Sequence, residues 1–265
     1  MKKLNIYVFN LVLRCHHDQI FERAAGLTYR VLLAFFPFLV FLMSLLGIID
    51  IDESAIISGL FYVLPGDIAI LVSDFVYELS ETRNTGLMST ALFFSVYNTS
   101  NGFRAIVRIT NRAYGVQDRR GFVAQVGLSI LLMLLFSTTL IVMLGFLVFG
   151  RQIWGVFFPN GSELLFALSS GSVALIILTL VVMLIYRLAC ATPIPVRHIF
   201  PGAVFAVIAW WVISTVFGFA ISNFTQYPAV YGSIAGVFIL ILWLNIICMV
   251  LLIGNEANAM LKEFA

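Results

Sequence analysis

Asn98, Asn101, Arg104, Arg108 and Arg112 recur at intervals of three and four residues. On a helix that spacing sets them along one face. Amides leading into guanidiniums make a ladder of hydrogen-bond donors that ends in fixed positive charge. Arginine grips phosphate through two parallel N–H bonds, so the ladder suits an anionic headgroup. Tyr97, Ser100 and Asn111 flank the same face, and Arg30, close after Arg23, is a further candidate for the same vestibule. A structural reading competes with this one. Asparagine and serine tie membrane helices together, and arginines near a membrane surface anchor topology or snorkel.

Glu256 stands in a second constellation with Asn255 and Asn258. A carboxylate at the end of an apolar helix needs water or a cation. Arg30, Arg23 or Arg104 on neighbouring helices could supply the cation, and the pair would lock the last helix to the bundle. Alternatively, a desolvated glutamate titrates nearer neutrality and could gate or couple to protons.

Other chemistries find little support. Cys15-His16-His17-Asp18 places adjacent histidines about 100° apart on a helix, so no metal site is expected. Cys15, Cys190 and Cys248 form neither a disulfide framework nor a Cys-x-x-Cys pair. No phosphate-binding glycine loop appears, so no cofactor is expected. Nuclease chemistry wants a metal cluster or a His/Lys constellation. The chain has only 3 histidines, and its basic residues are dispersed. It therefore reads as a non-enzyme without a nucleic-acid partner.

These residues must be held by membrane helices. The chain is 265 residues, 62% hydrophobic and 11% charged, whereas a soluble domain carries about 25% charged residues. The composition predicts an all-α polytopic membrane protein forming a single membrane domain. Six spans are expected, at 27–49, 86–103, 122–149, 164–186, 199–221 and 231–256. The second is unusually polar. In-plane amphipathic segments are expected at 1–26 and 53–81, the latter broken at Pro65-Gly66. A re-entrant hairpin is the alternative for 53–81.

On this partition Lys2, Lys3, Arg14, Arg23, Arg30, Arg104, Arg108, Arg112, Arg119, Arg120, Arg187, Arg197 and Lys262 fall on one side. Only Arg83 and Arg151 fall on the other, together with most of the acids. The positive-inside rule then puts both termini in the cytoplasm.

Four stretches carry a family resemblance: Arg23-Ala-Ala-Gly-Leu-Thr-Tyr-Arg30 through Phe36-Pro37; Asn111-Arg-Ala-Tyr-Gly-Val116 with Arg119, Arg120 and Phe122; Ser222-Asn-Phe224 with Tyr227 and Tyr231-Gly-Ser233; and Trp243 with Gly254-Asn-Glu-Ala-Asn258. The chain resembles the YihY/BrkB family of bacterial inner-membrane proteins, also carried under an old ribonuclease BN label. It departs from that pattern at Asn255, where a small residue is expected. The resemblance implies six spans and an inner-membrane home, with roles named in virulence, RNA processing and transport of lipid precursors.

The reading that follows is a protein that transports, or assists transport of, an anionic lipid or amphiphile. Membrane lipids are its expected partners. A scaffold that docks an envelope protein through the acidic 53–81 segment is the alternative, and a membrane-bound hydrolase is a more distant one. No sequence feature sets an oligomeric state.

Overall fold

The computed structural model describes residues 2–49, 57–61, 64–81, 85–157, 163–223 and 233–263. The helices run in the order α1 Lys2–His17, α2 Ile20–Ile49, α3 Gly66–Glu81, α4 Thr85–Ala113, α5 Phe122–Phe157, α6 Glu163–Ala189, α7 Val196–Asn223 and α8 Ser233–Glu263. No strand occurs among the described residues.

The chain is an all-α polytopic membrane protein. Among the described residues, five stretches are long and apolar enough to cross a membrane: Ile20–Met43, Phe122–Phe146, Ser170–Ala189, Val196–Ile221 and Ala235–Glu263. The span expected at 86–103 lies inside α4, whose 29 residues reach about 44 Å at 1.5 Å per residue. Ser95, Asn98, Thr99, Ser100 and Asn101 make it more polar than those five.

The helix that holds the first expected span begins before residue 27. The amphipathic segment expected over 1–26 ends as a helix at His17. Asp18 N–H donates to the Arg14 carbonyl at 2.8 Å and Gln19 N–H to the His16 carbonyl at 3.0 Å. Gln19 then turns the chain at φ 52°, a left-handed conformation that ends helices. α2 starts at once, at Ile20 rather than 27. Ile20, Ala24 and Leu27 are buried at helical spacing, and this apolar face carries the helix through Glu22 and Arg23.

Two other boundaries move outward. α5 continues past the expected 149 to Phe157, and α8 past the expected 256 to Glu263. In the 53–81 segment, residues 53–56, 62 and 63 lie outside the described ones. α3 begins directly after Pro65, where the Pro-Gly pair predicts a break. Its apolar face, Ile68, Val72 and Val76, is buried with Leu39 of α2 and Leu240 and Trp243 of α8. Leu71 meets Gly236, and the Phe75 ring lies 5.1 Å from Phe36. α3 is thus folded in along α2 and α8, with Asp74 exposed.

The far ends of the chain meet. Arg14 of α1 reaches Glu256 and Glu263 of α8 and the Ala113 carbonyl that ends α4. The ends of α4 and α6 meet beside them, through Asn111 and Ala189. This shared end, rich in arginine, is called the basic end below.

Candidate functional site

The polar stripe lies on one continuous helix, but the fold divides it. Asn98 and Asn101 are half-buried. With Gly26, Tyr29, Arg30 and Leu33 of α2 they line a groove of about 440 Å³. Arg104 donates from Nη2 to Asn101 Oδ1, and its guanidinium lies 5.8 Å from the Phe122 ring centroid. Arg104 Nε has no partner among the described residues. Arg108 is exposed and within electrostatic range of Arg30 and Arg104. Arg112 is set apart. It stands near Arg23, whose Nη2 lies 3.8 Å from Asp18 Oδ1. The stripe therefore gives Asn98 and Asn101 to the groove lining, with Arg104 bonded to Asn101 and Arg108 within electrostatic range of Arg30, and Arg112 lies apart.

Arg30 was expected one turn into its span, within snorkelling reach of the surface. Because α2 begins at Ile20, Arg30 sits ten residues in, about 15 Å along the axis. That lies within the apolar stretch Ile20–Met43, and the uncharged run Val31–Ile49 follows it. Hydrogen bonding gives the same level. Asn245, midway along α8, donates to Thr28 Oγ1 at 3.2 Å, and Thr28 donates to the Ala24 carbonyl at 2.7 Å. Arg30 is exposed there, and no carboxylate lies within 4 Å of it among the described residues. A charged side chain inside a membrane span is costly, about 2.5–3.5 kcal/mol or more at the centre, so such residues face water, an anion or a partner.

Glu256 is fully buried, and its cation comes from α1. Arg14 Nε donates to Oε2 at 2.9 Å, Nη1 to Glu263 Oε2 at 2.6 Å, and Nη2 to the Ala113 carbonyl at 2.5 Å. Burial works against the charge of Arg14. The hydrogen bond to Glu263 and the charge of Glu256 outweigh it and hold the guanidinium above its ordinary pKa. Tyr7 adds a bond from its hydroxyl to the Ala257 carbonyl at 3.0 Å. Of the three arginines the sequence offered, only Arg23 comes near Glu256. Arg14 was missed because α1 read as a helix lying free at the membrane surface. The available signal was the seven-residue spacing of Tyr7 and Arg14, which puts both on one helix face.

Asn255, Glu256 and Asn258 do not converge. Asn258 Oδ1 accepts from Gly202 N–H at 2.7 Å, so it faces α7. Pro201 lacks the N–H that continues a helix ladder, and its ring disturbs the turn before it. The Asn258 amide takes up the next N–H. A methyl on Gly202 would overlap the Gly254 carbonyl and the Asn258 amide, so α7 and α8 meet backbone to backbone. Tyr186 seals this contact from α6, donating to the Leu251 carbonyl at 2.6 Å. Asn255 is buried, with neither side-chain atom bonded to a described residue.

Asn111, expected beside the stripe, is a structural clamp. Its Nδ2 donates to the carbonyls of Val107 at 2.8 Å and Ala189 at 3.0 Å, and its Oδ1 accepts from Ala191 N–H at 2.7 Å. Arg120 reinforces the joint through the Leu188 and Cys190 carbonyls. α4 ends there in a Schellman motif. Val116 N–H bonds to the Asn111 carbonyl and Gly115 N–H to the Arg112 carbonyl, with Gly115 at φ 61°. The Asn-Arg-Ala-Tyr-Gly-Val stretch is thus a helix stop joined to α6.

The chain is similar to curated proteins of several bacteria. It is 33% identical over 247 residues to the ribonuclease-like protein YfkH of Bacillus subtilis, covering 91% of this chain and 90% of that one. It is 27% identical over 256 residues to a UPF0761 membrane protein of Psychrobacter sp., 92% of this chain and 46% of the relative. This chain therefore spans about half the length of the Psychrobacter protein. A UPF0761 membrane protein of Pseudoalteromonas atlantica is 25% identical over 280 residues, spanning 100% of this chain and 88% of the relative. No solved structure matches. The family described as Virulence factor BrkB matches residues 11–265, and the chain belongs to that family.

Proposed function

We propose that this protein moves, or helps to move, an anionic lipid or amphiphile across a bacterial inner membrane, with its basic end in the cytoplasm. The observation that carries the reading is Arg30. It is a guanidinium within a stretch apolar enough to cross a membrane, exposed in a groove beside Asn98 and Asn101, with Arg104 and Arg108 close by and no carboxylate within 4 Å among the described residues. A translocated headgroup needs polar contacts at the level where the bilayer offers none. The clustering of arginines at one end supports the orientation through the positive-inside rule.

The protein is read as a non-enzyme. Arg14, Arg23 and Arg120 are engaged with acids or carbonyls of the chain itself, which leaves fewer cations for RNA. The ribonuclease-like name belongs to the Bacillus relative. Docking of an envelope protein on the exposed face of α3, which carries Asp74, is the second reading. Reversal of Asp74 that leaves pull-down partners unchanged would count against it.

The transport reading is tested in proteoliposomes holding a headgroup-labelled anionic lipid quenched by external dithionite. Wild type should bleach the inner leaflet, and Arg30→Ala and Arg104→Ala should not, at equal protein level. Flat wild-type traces from folded protein would remove autonomous translocation.

A further inference from the structure

The groove between α2 and α4 has a shape and charge that narrow its ligand. Its polar lining comes from half-buried Asn98 and Asn101 and exposed Arg30. Tyr29 and Leu33 stand at its rim with their side chains exposed, as does Tyr97 beside Asn98 on α4. The groove lies on a stretch of α2 apolar enough to cross a membrane, so this rim suits acyl chains and a headgroup would reach the groove sideways from the bilayer with its tails outside.

The charge around the groove comes from Arg30 of α2 and Arg104 and Arg108 of α4, near enough to repel one another. A zwitterionic headgroup would bring an ammonium that needs a carboxylate, and none lies within 4 Å of these arginines among the described residues. A phosphodiester offers one charge and two terminal oxygens. A phosphomonoester offers close to two charges and three terminal oxygens, enough for two guanidinium forks and an asparagine N–H. A second copy of this chain packed symmetrically on the same face would set these arginines against themselves.

We propose that the groove between α2 and α4 is a laterally open site for the headgroup of a phosphomonoester lipid, gripped by Arg30, Arg104 and Arg108 and steadied by Asn98 and Asn101. The proposal rests on the transport reading only in placing a lipid headgroup in the same groove. It concerns which headgroup binds, whether or not the headgroup crosses.

Gly26 supplies a clean perturbation. It lines the groove, and a Cβ built on it meets nothing within 4 Å. Gly26→Leu therefore fills the site without a clash, and leucine is a better helix former than glycine.

The test is native mass spectrometry of the delipidated full chain with phosphatidic acid, phosphatidylglycerol and phosphatidylethanolamine of matched acyl chains. At pH 8 phosphatidic acid should bind at least about ten-fold more tightly than phosphatidylglycerol, the worth of one extra charged hydrogen bond. The charged groups around the groove are arginines, which stay protonated across the working range. The pH dependence therefore comes from the ligand, whose second proton binds near pH 6. By pH 5 the preference should shrink to within about three-fold, the lipid by then being nearly monoanionic.

Gly26→Leu and Arg30→Gln should abolish the preference while melting as wild type does. Equal binding of monoester and diester at pH 8, or a preference that survives both substitutions, would overturn the proposal. So would displacement of phosphatidic acid by millimolar inorganic phosphate, which would identify a site for the free ion. Selective binding with flat translocation traces would leave this inference standing and remove transport. Translocation without headgroup preference would do the reverse.

Discussion

Replacing Arg14 with alanine removes three bonds at once: to Glu256, to Glu263 and to the Ala113 carbonyl. Their weights differ with burial. The Glu256 side chain is 0% exposed and Arg14 only 20%, while Glu263 is 61% exposed. Breaking a buried pair by deleting one partner costs about 3–5 kcal/mol, because the other charge is left in a medium that does not solvate it. The exposed arm to Glu263 is worth about 1 kcal/mol or less. Arg14→Ala should therefore destabilise by about 3–5 kcal/mol, and Glu263→Ala by under about 1.

Arg14→Lys should fall between, because one ammonium cannot span three acceptors as a planar fork does. Arg14→Leu with Glu256→Leu removes both charges and should return to within roughly 1 kcal/mol of wild type, as apolar replacement of buried pairs often does. The assay is unfolding by sodium dodecyl sulfate in mixed micelles, followed by tryptophan fluorescence. A double substitution whose cost equals the sum of its singles would refute the reasoning, since additivity means no coupling.

Three further outcomes follow from the same packing. Asn111→Leu should cost about 2–4 kcal/mol in the same titration, since it strands the Ala189 carbonyl and the Ala191 N–H. Gly202→Ala should collapse the yield of folded protein on size-exclusion chromatography. Gly127→Ala should leave it unchanged, because a methyl there meets nothing within 4 Å. Burial, helped by the charges of Glu256 and Asp18, pushes the Cys15 thiol up to about 11. At pH 7.5 Cys15 should therefore resist maleimide, and Arg14→Ala should speed its labelling by releasing α1. Equal labelling rates would show that α1 stays docked without Arg14.

The sequence made the helical class and the alternation of charged ends legible because both rest on local counts. Long apolar runs mark spans, and arginines gather at one end. Boundaries were less legible where charge and burial disagreed. Glu22, Arg23 and Arg30 read as the approach to a membrane, yet Ile20, Ala24 and Leu27 are buried at helical spacing and draw those charges into α2.

The stripe of Asn98, Asn101 and Arg104 was readable as a face. That Arg30 joins it, and that Asn111 leaves it to clamp α6, depends on how α2 and α6 pack against α4, which no single-helix pattern encodes. Glu256 announced a need for a cation. Which arginine answers is a question of tertiary contact, settled by the face of α1 that carries both Tyr7 and Arg14.

The bond between Arg14 and Glu256 joins residues 242 apart in the chain. At about 5–20 residues per second, a ribosome needs on the order of 10–50 s to travel from one to the other. Until α8 is made, Arg14 lacks both of its carboxylate partners, while α2 to α7 enter the bilayer. α8, made after α2 to α7, is the helix that captures α1. Closure of the basic end is therefore a late event in biogenesis, and a nascent chain stalled before α8 displays a free, protease-accessible α1.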